Sequence, residues 1–224
     1  MRVIAVSVAL LVAASVLVEA QRRHPVSGRV LAPVMGVGGA SWLERPERED
    51  EEAPSRAIDL LNLKPGMVVA DIGAGSGYYA SRIARRVGPS GRVFATDIQP
   101  GMIALLDRRI ASERLTNMTT VLGAPDDPKL PPNSLDLAIM VDVYHELQDP
   151  QVFLQRLKPA FKAGGRLALL EFRKEDPKVP ILEVHKMSVA EVKQEMEAEG
   201  YAIDRVTEGL PWQHLILIKV NDAK

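Results

Sequence analysis

From residue 67 onward the chain alternates short, almost uncharged apolar runs with stretches of helical period. The runs are 67–72, interrupted only by Asp71, then 92–96, 118–122, 135–141, apolar throughout after Asp136, and 166–172. Helical patterns fill the gaps at 76–87, ended by Gly88-Pro89, at 100–112, and from the Asp149-Pro150 cap to about 162. A strand with no polar face has to be buried on both sides, so this alternation predicts a parallel sheet covered by helices on both faces. The end of the chain is built differently. Ser188-Val189-Ala190-Glu191 is a capping box that opens a helix, and Gly200 stops it. Strands at 201–206 and 214–220 follow, with 207–213 between them. No crossover helix fits in that gap, so the last pair must be antiparallel. The predicted fold class is α/β, a doubly wound seven-stranded and mostly parallel sheet with a terminal antiparallel pair.

Composition narrows the function. Hydrophobic residues make up 46% of the 224, enough for a packed core, and the formal net charge is -1. A dedicated nucleic-acid binder would carry a basic face, so no nucleic-acid partner is expected. The absence of cysteine excludes disulfides, thiolate nucleophiles and thiolate zinc sites. With four histidines no metal site is expected either. The chain divides into three parts. Residues 1–20 read as a signal peptide: Arg2, an uncharged apolar run over 3–18, and Val18-Glu19-Ala20 at the position of a cleavage site. Cleavage after Ala20 would export a protein beginning at Gln21. The alternative is an uncleaved anchor formed by 3–18. That run is about 24 Å long against a hydrocarbon core of about 30 Å, but Arg22 and Arg23 just beyond it disfavour export. Membrane contact is expected only through this segment. Residues 21–53 form a loop-rich lead-in with a short charged helix, anchored by Trp42 and Leu43. Its acidic run 49–52 suits a solvated first helical turn before Pro54. Residues 54–224 form the globular domain and begin with a helix over 54–63 that presents Ala57, Leu60 and Leu61 on one face.

The sharpest motif is Asp71-Ile72-Gly73-Ala74-Gly75-Ser76-Gly77, placed where a buried strand turns into a helix. Glycine is required there so that the backbone can turn tightly and a ligand can approach it. Asp97 ends the next strand, where a carboxylate can accept hydrogen bonds from both hydroxyls of a ribose. A dinucleotide site expects a glycine at the sixth position, counted from Gly73, and that position is Tyr78. The third glycine therefore falls one residue early. Asp71 also suits a ligand bearing ammonium and sulfonium better than one bearing phosphates.

On these residues the chain resembles the class I S-adenosylmethionine-dependent methyltransferases, over roughly residues 54–220. It looks most like the small-molecule branch that includes ubiquinone and menaquinone C-methyltransferases. The matching elements are Val68-Val69-Ala70-Asp71-Ile72-Gly73-Ala74-Gly75-Ser76-Gly77, Ala95-Thr96-Asp97-Ile98, Leu135-Asp136-Leu137-Ala138 and Lys162-Ala163-Gly164-Gly165-Arg166-Leu167. The resemblance implies a Rossmann-like fold, S-adenosyl-L-methionine as cofactor and a small-molecule methyl acceptor. It implies that Asp71, Gly73, Ala74, Gly75 and Gly77 surround the methionine part, that Asp97 holds the ribose, and that Ile98 packs on the adenine. A carboxylate after the third strand would meet the adenine amino group. Ala124 stands at the usual acidic position, which leaves Asp126 or Asp127 for that role.

Methyl transfer needs an acceptor aligned with the methyl group and, for a weak nucleophile, a base. Candidates belong at the C-terminal ends of the strands. Asp142 and His145 follow the fourth strand directly and serve as substrate contacts or base, or else His145 and Glu146 only organise the loop before Asp149. Glu171 ends the fifth strand and either faces the same cleft or points outward to Arg173. Glu183 and His185 are further candidates on a substrate-side loop, where a lone histidine is more often structural. Two other functions share parts of this pattern, a nicotinamide-dependent oxidoreductase and a non-catalytic module that binds S-adenosylmethionine. The sequence leaves the acceptor and the oligomeric state open.

Overall fold

In the computed structural model, which describes residues 22–220, two short helices precede the sheet: α1 (Arg48–Glu52) and α2 (Pro54–Leu60). There follow β1 (Val68–Ile72), α3 (Tyr78–Val87), β2 (Arg92–Asp97), α4 (Pro100–Glu113), β3 (Met118–Leu122), β4 (Leu135–Val141), α5 (Pro150–Leu157) and β5 (Phe161–Arg173). The chain closes with β6 (Lys186–Met187), α6 (Val189–Ala198), β7 (Tyr201–Thr207) and β8 (Gln213–Val220). The signal-like segment 1–20 lies outside the described residues.

Strand order is β3-β2-β1-β4-β5-β8-β7, with β6 pairing β5. The pairs β1–β2, β2–β3, β1–β4 and β4–β5 are parallel. β8 runs antiparallel both to β5 and to β7, as the short gap before it requires. The expected Rossmann-like sheet is present, with the two-residue β6 as an eighth strand. The order reverses at β1, with β2 on one side and β4 on the other. In doubly wound sheets this switch point opens a crevice at the C-terminal strand ends.

The apolar runs explain both layers, because successive residues of a strand point to opposite faces. Val69, Leu137, Ile139 and Leu170 pack with Ala57, Ile58, Ile83 and Leu106 on one face. Ala70, Met140, Leu169 and Ile216 pack with Phe153, Leu154, Val192 and Met196 on the other. The capping box forms as read. Glu191 N donates to Ser188 Oγ (3.1 Å), and Ser188 N donates to Glu191 Oε2 (3.0 Å).

Three local readings are corrected. The helix expected to reach about residue 162 stops at Leu157 and passes through a 3-10 turn, Lys158–Ala160. Pro159 has no N–H to donate, so the α pattern cannot continue through it. β5 begins earlier than expected, at Phe161, and absorbs Gly164-Gly165 as a bulge against β4. The acidic run 49–52 is not simply a solvated turn. Glu52 is fully buried between Arg45 (2.5 Å) and Arg48 (2.7 Å), because those guanidiniums supply the partners that water would have supplied.

The lead-in is the largest addition to the sequence reading. It lies across the C-terminal strand ends and is tied to them by hydrogen bonds. Ala32 N donates to His145 O (3.2 Å), Met35 N to Glu146 Oε1 (3.2 Å), and Gln99 Nε2 to Met35 O (3.0 Å). Ser76 Oγ donates to Glu44 Oε1 (2.5 Å), which fastens the lead-in to the glycine turn.

Candidate active site

A cavity of about 530 Å³ opens at the switch point. That is ample for a small ligand, since such pockets span roughly 300–1,000 Å³. Its floor is the turn after β1. Gly73 and Gly75 have φ of 68° and 55°, in the left-handed region open to glycine. A Cβ at Gly73 would come within 2.6 Å of Val143 Cγ2, and one at Gly75 within 2.6 Å of Leu43 Cδ1. Asp97 is tied into the turn, accepting from Gly75 N at 3.1 Å through Oδ2 and from Gln99 N at 2.9 Å through Oδ1. Burial raises its pKa, and those backbone N–H groups pull the other way. Ile98 is 37% exposed, a branched aliphatic left open on the cavity wall.

Asp71, Ala74 and Gly77 do not line the cavity. Gly77 packs against Leu106 and Arg109. Asp71 lies under the turn with its Oδ2 unpaired. Burial pushes its carboxyl up to about 7, with the Ala80 N–H and Arg48 opposing and Asp97 adding to the rise. It sits beneath the turn and outside the cavity lining. The linkage has a definite sign. The unfolded carboxyl titrates near about 4, so between about pH 4 and pH 7 the folded chain holds the extra proton, and this group's contribution to stability falls as pH rises. Asp71→Asn should therefore gain stability relative to wild type between about pH 4 and pH 8, by an amount on the order of a few kcal/mol. Urea unfolding at both pH values checks this, and a pH-independent difference would contradict it.

The two carboxylates expected near the adenine turn away. Asp126 Oδ2 pairs with Arg156 (2.5 Å), and Asp127 Oδ1 accepts from Lys129 N (2.8 Å). A backbone bridge between Ala124 and Asp127 closes the loop, so Gly123, Ala124 and Pro125 line the cavity in place of either side chain.

The other end of the cavity is built on the segment after β4. Asp142 and His145 both line it. Asp142 has φ 54°, accepts from Gln213 Nε2 (2.7 Å) through Oδ2, and leaves Oδ1 buried without a partner. Burial, then the charges of Glu52 and Glu171, push its carboxyl well above the usual range, against Arg48 and Gln213. Glu171 does not point outward to Arg173. It is fully buried, accepts from Tyr144 N (2.9 Å), and lies 2.6 Å from His145 Nδ1. Arg173 turns instead to Leu210 O (3.1 Å) and Asp176. Glu171 therefore orients His145 and does not reach the cavity itself. His145 Nε2 lies 3.1 Å from His185 Nδ1 on the loop before β6. Burial, then His145, lower the His185 pKa, while Glu171 raises it. Glu146 also lines the cavity, and burial pushes its carboxyl up to about 7. Glu183 stands apart, facing Lys186 at 3.9 Å.

The sequence missed the lead-in residues Pro33, Met35, Trp42 and Leu43 as cavity wall. It read Glu146 only as an organiser of the loop, and it named His185 as a candidate on a substrate-side loop; both line the cavity. For His185 a signal existed, since loops after parallel strands converge on one edge. For the lead-in there was none. The ionisable side chains lining the cavity are acidic or imidazole, Asp97, Asp142, Glu146, His145 and His185, with neither lysine nor arginine among the described residues. That fits a ligand carrying ammonium and sulfonium, and it fits poorly with phosphates. The turn without side chains and a carboxylate at the end of β2 also suit S-adenosylmethionine.

The fold and site define the class, a Rossmann-like domain with a ligand crevice after β1 and β4. A family model described as a methyltransferase domain matches residues 70–167. The ubiquinone/menaquinone biosynthesis C-methyltransferase UbiE of Bordetella avium is 33% identical over 137 residues, 59% of this chain and 52% of that protein. Its namesake in Hydrogenovibrio crunogenus is 30% identical over 119 residues, 53% of this chain and 47% of that protein. The chain thus spans about half the length of these curated relatives. The crystal structure of a SAM-dependent methyltransferase from Aquifex aeolicus superposes with a TM-score of 0.79 at 26% identity, covering 84% of this chain and all of that one. The chain is thus similar to S-adenosylmethionine-dependent methyltransferases in fold and over the matched stretch 70–167.

Proposed function

We propose that this protein transfers a methyl group from S-adenosylmethionine to a small acceptor with a mostly apolar body. The observation that carries the reading is the cavity at the switch point, whose walls carry acidic side chains and, among the described residues, neither lysine nor arginine. The bound cofactor supplies an electrophilic methyl on a sulfonium. Asp97 and the Gly73–Gly75 backbone hold it. Trp42, Leu43, Phe172, Ile181 and Leu182 give the acceptor an apolar seat and keep water out. Two relatives are named for ubiquinone and menaquinone biosynthesis, and an acceptor with an apolar ring would suit these walls. His145, held by Glu171, and Asp142 contact the acceptor or take its proton.

The test is transfer of a labelled methyl group from S-adenosylmethionine to a panel of hydroxylated and ring-bearing acceptors. With the acceptor that works, His145→Ala should lower turnover about 10²–10⁴-fold, the usual contribution of a positioned acid or base. Cofactor affinity should change little. Full activity in the variant would return His145 to a structural role.

We propose that the protein acts after export, beginning at Gln21. The support is the apolar run over 3–18 and the Val18-Glu19-Ala20 site. Among the described residues no helix is long and apolar enough to cross a membrane. N-terminal sequencing of protein from fractionated cells should read Gln21 outside the cytoplasmic membrane. Intact Met1 in the membrane fraction would show an anchor instead.

A further inference from the structure

The acceptor end of the cavity brings His185, from the loop before β6, against His145 and Glu146, from the segment after β4. One ring nitrogen each of His145 and His185 and a Glu146 carboxylate oxygen lie within 4.8 Å of one another. We infer that these three side chains form a divalent-cation site opening into the cavity.

Four observations carry this. The first is tautomer control. Glu171 Oε2, 2.6 Å from His145 Nδ1, can accept only from a proton on that nitrogen, and in that tautomer the Nε2 lone pair faces His185. A buried carboxylate behind a ligating histidine is the usual outer-shell arrangement at metal sites. The second is spacing. Ligands at about 2.1 Å from an ion stand roughly 3.0–3.4 Å apart at right-angled to tetrahedral geometry, and the two imidazole nitrogens are 3.1 Å apart. Their rings meet edge-on at 83°, so neither ring blocks the approach to the other's lone pair. The third is fixation. The His145 carbonyl is held by Ala32 N (3.2 Å) and Arg29 Nη1 (3.0 Å), and Glu146 Oε1 by Met35 N (3.2 Å). The site is therefore built on rigid backbone. The fourth is charge, since among the described residues neither lysine nor arginine shares the cavity wall to repel a cation.

Two imidazoles and one carboxylate suit zinc, cobalt, nickel or ferrous ion, and three protein ligands leave positions open to the cavity. An acceptor bearing a hydroxyl, enol or carboxylate oxygen would complete the coordination there and be fixed by it, and His145 would then act as a ligand and not as the base. That use of the cation rests on the methyltransferase reading, whereas binding of the ion does not.

Cobalt(II) is the probe, titrated into the untagged full chain with visible absorption as readout. We expect one saturable site per chain, with displacement by zinc. The cobalt spectrum should disappear in His185→Ala and weaken in Glu146→Gln. Glu171→Gln should lower the affinity about 10–100-fold, as loss of an outer-shell partner does. Glu183→Gln, at an exposed carboxylate two residues from His185, should leave it unchanged. Circular dichroism and an S-adenosylmethionine titration on the same samples show that each variant is folded and keeps its cofactor site. Absence of saturable cobalt binding, or equal binding by wild type and His185→Ala, would overturn the proposal. A cobalt site intact in protein that fails to bind S-adenosylmethionine would support the cation site and sink the methyltransferase reading.

Discussion

Gly75→Val should abolish saturable S-adenosylmethionine binding while leaving the chain folded. The position has φ 55°, where a β-branched residue is a strong outlier. The new Cβ would also come within 2.6 Å of Leu43 Cδ1, which closes over the turn from the lead-in. Leu43 can swing away, but the backbone cannot keep its conformation cheaply. The turn would reshape, and Gly75 N would leave Asp97 Oδ2, where it donates at 3.1 Å. Strain of this kind costs on the order of 1–3 kcal/mol, against a total stability of roughly 5–15 kcal/mol. Folding therefore survives, and the binding surface does not. Calorimetry with S-adenosylmethionine, alongside circular dichroism, reads both. Unchanged affinity would place the cofactor elsewhere.

Glu195→Ala should lower stability by about 3–5 kcal/mol, the cost of stranding one partner of a buried ion pair. Glu195 is fully buried on α6 and accepts from Arg29 Nε (2.8 Å) and Nη2 (3.2 Å), as well as from the Ser27 hydroxyl. His24 Nε2 lies 3.3 Å from the same carboxylate. Arg29 also reaches the His145 carbonyl, so this cluster fastens the lead-in both to α6 and to the acceptor end of the cavity. Removing the carboxylate leaves a buried guanidinium without its counter-charge. Replacing both partners by apolar residues, Arg29→Met with Glu195→Leu, should cost much less. Urea titration of the wild type and these two variants separates the outcomes. A single-variant loss below about 1 kcal/mol, the scale of an exposed pair, would show that the cluster is solvated.

Much of the fold was legible because burial on both faces of a parallel sheet writes itself as continuous apolar runs. β3 and β4 match the sequence reading residue for residue. The antiparallel end followed from chain length alone, since 207–213 cannot hold a crossover. The glycine turn and Asp97 were legible as local backbone requirements. What escaped depends on contacts between distant residues. Arg29 and Glu195 are 166 positions apart, and nothing in 24–40 has a period that announces a partner. Glu171 was ambiguous because a strand-end carboxylate can turn either way, and here the partner on the other side, His145, decides it. Asp126 and Asp127 were misread because the Ala124–Asp127 bridge turns the loop's backbone, not its side chains, to the cavity. Asp71 kept its place in the motif but works beneath the turn.

The central claim is that the crevice after β1 and β4 holds S-adenosylmethionine and not a dinucleotide. Parallel calorimetric titrations of the wild-type chain with S-adenosylmethionine and with NAD test it most directly. The account predicts one S-adenosylmethionine site per chain and no saturable heat with NAD. Saturable binding of NAD, with none of S-adenosylmethionine, would contradict it.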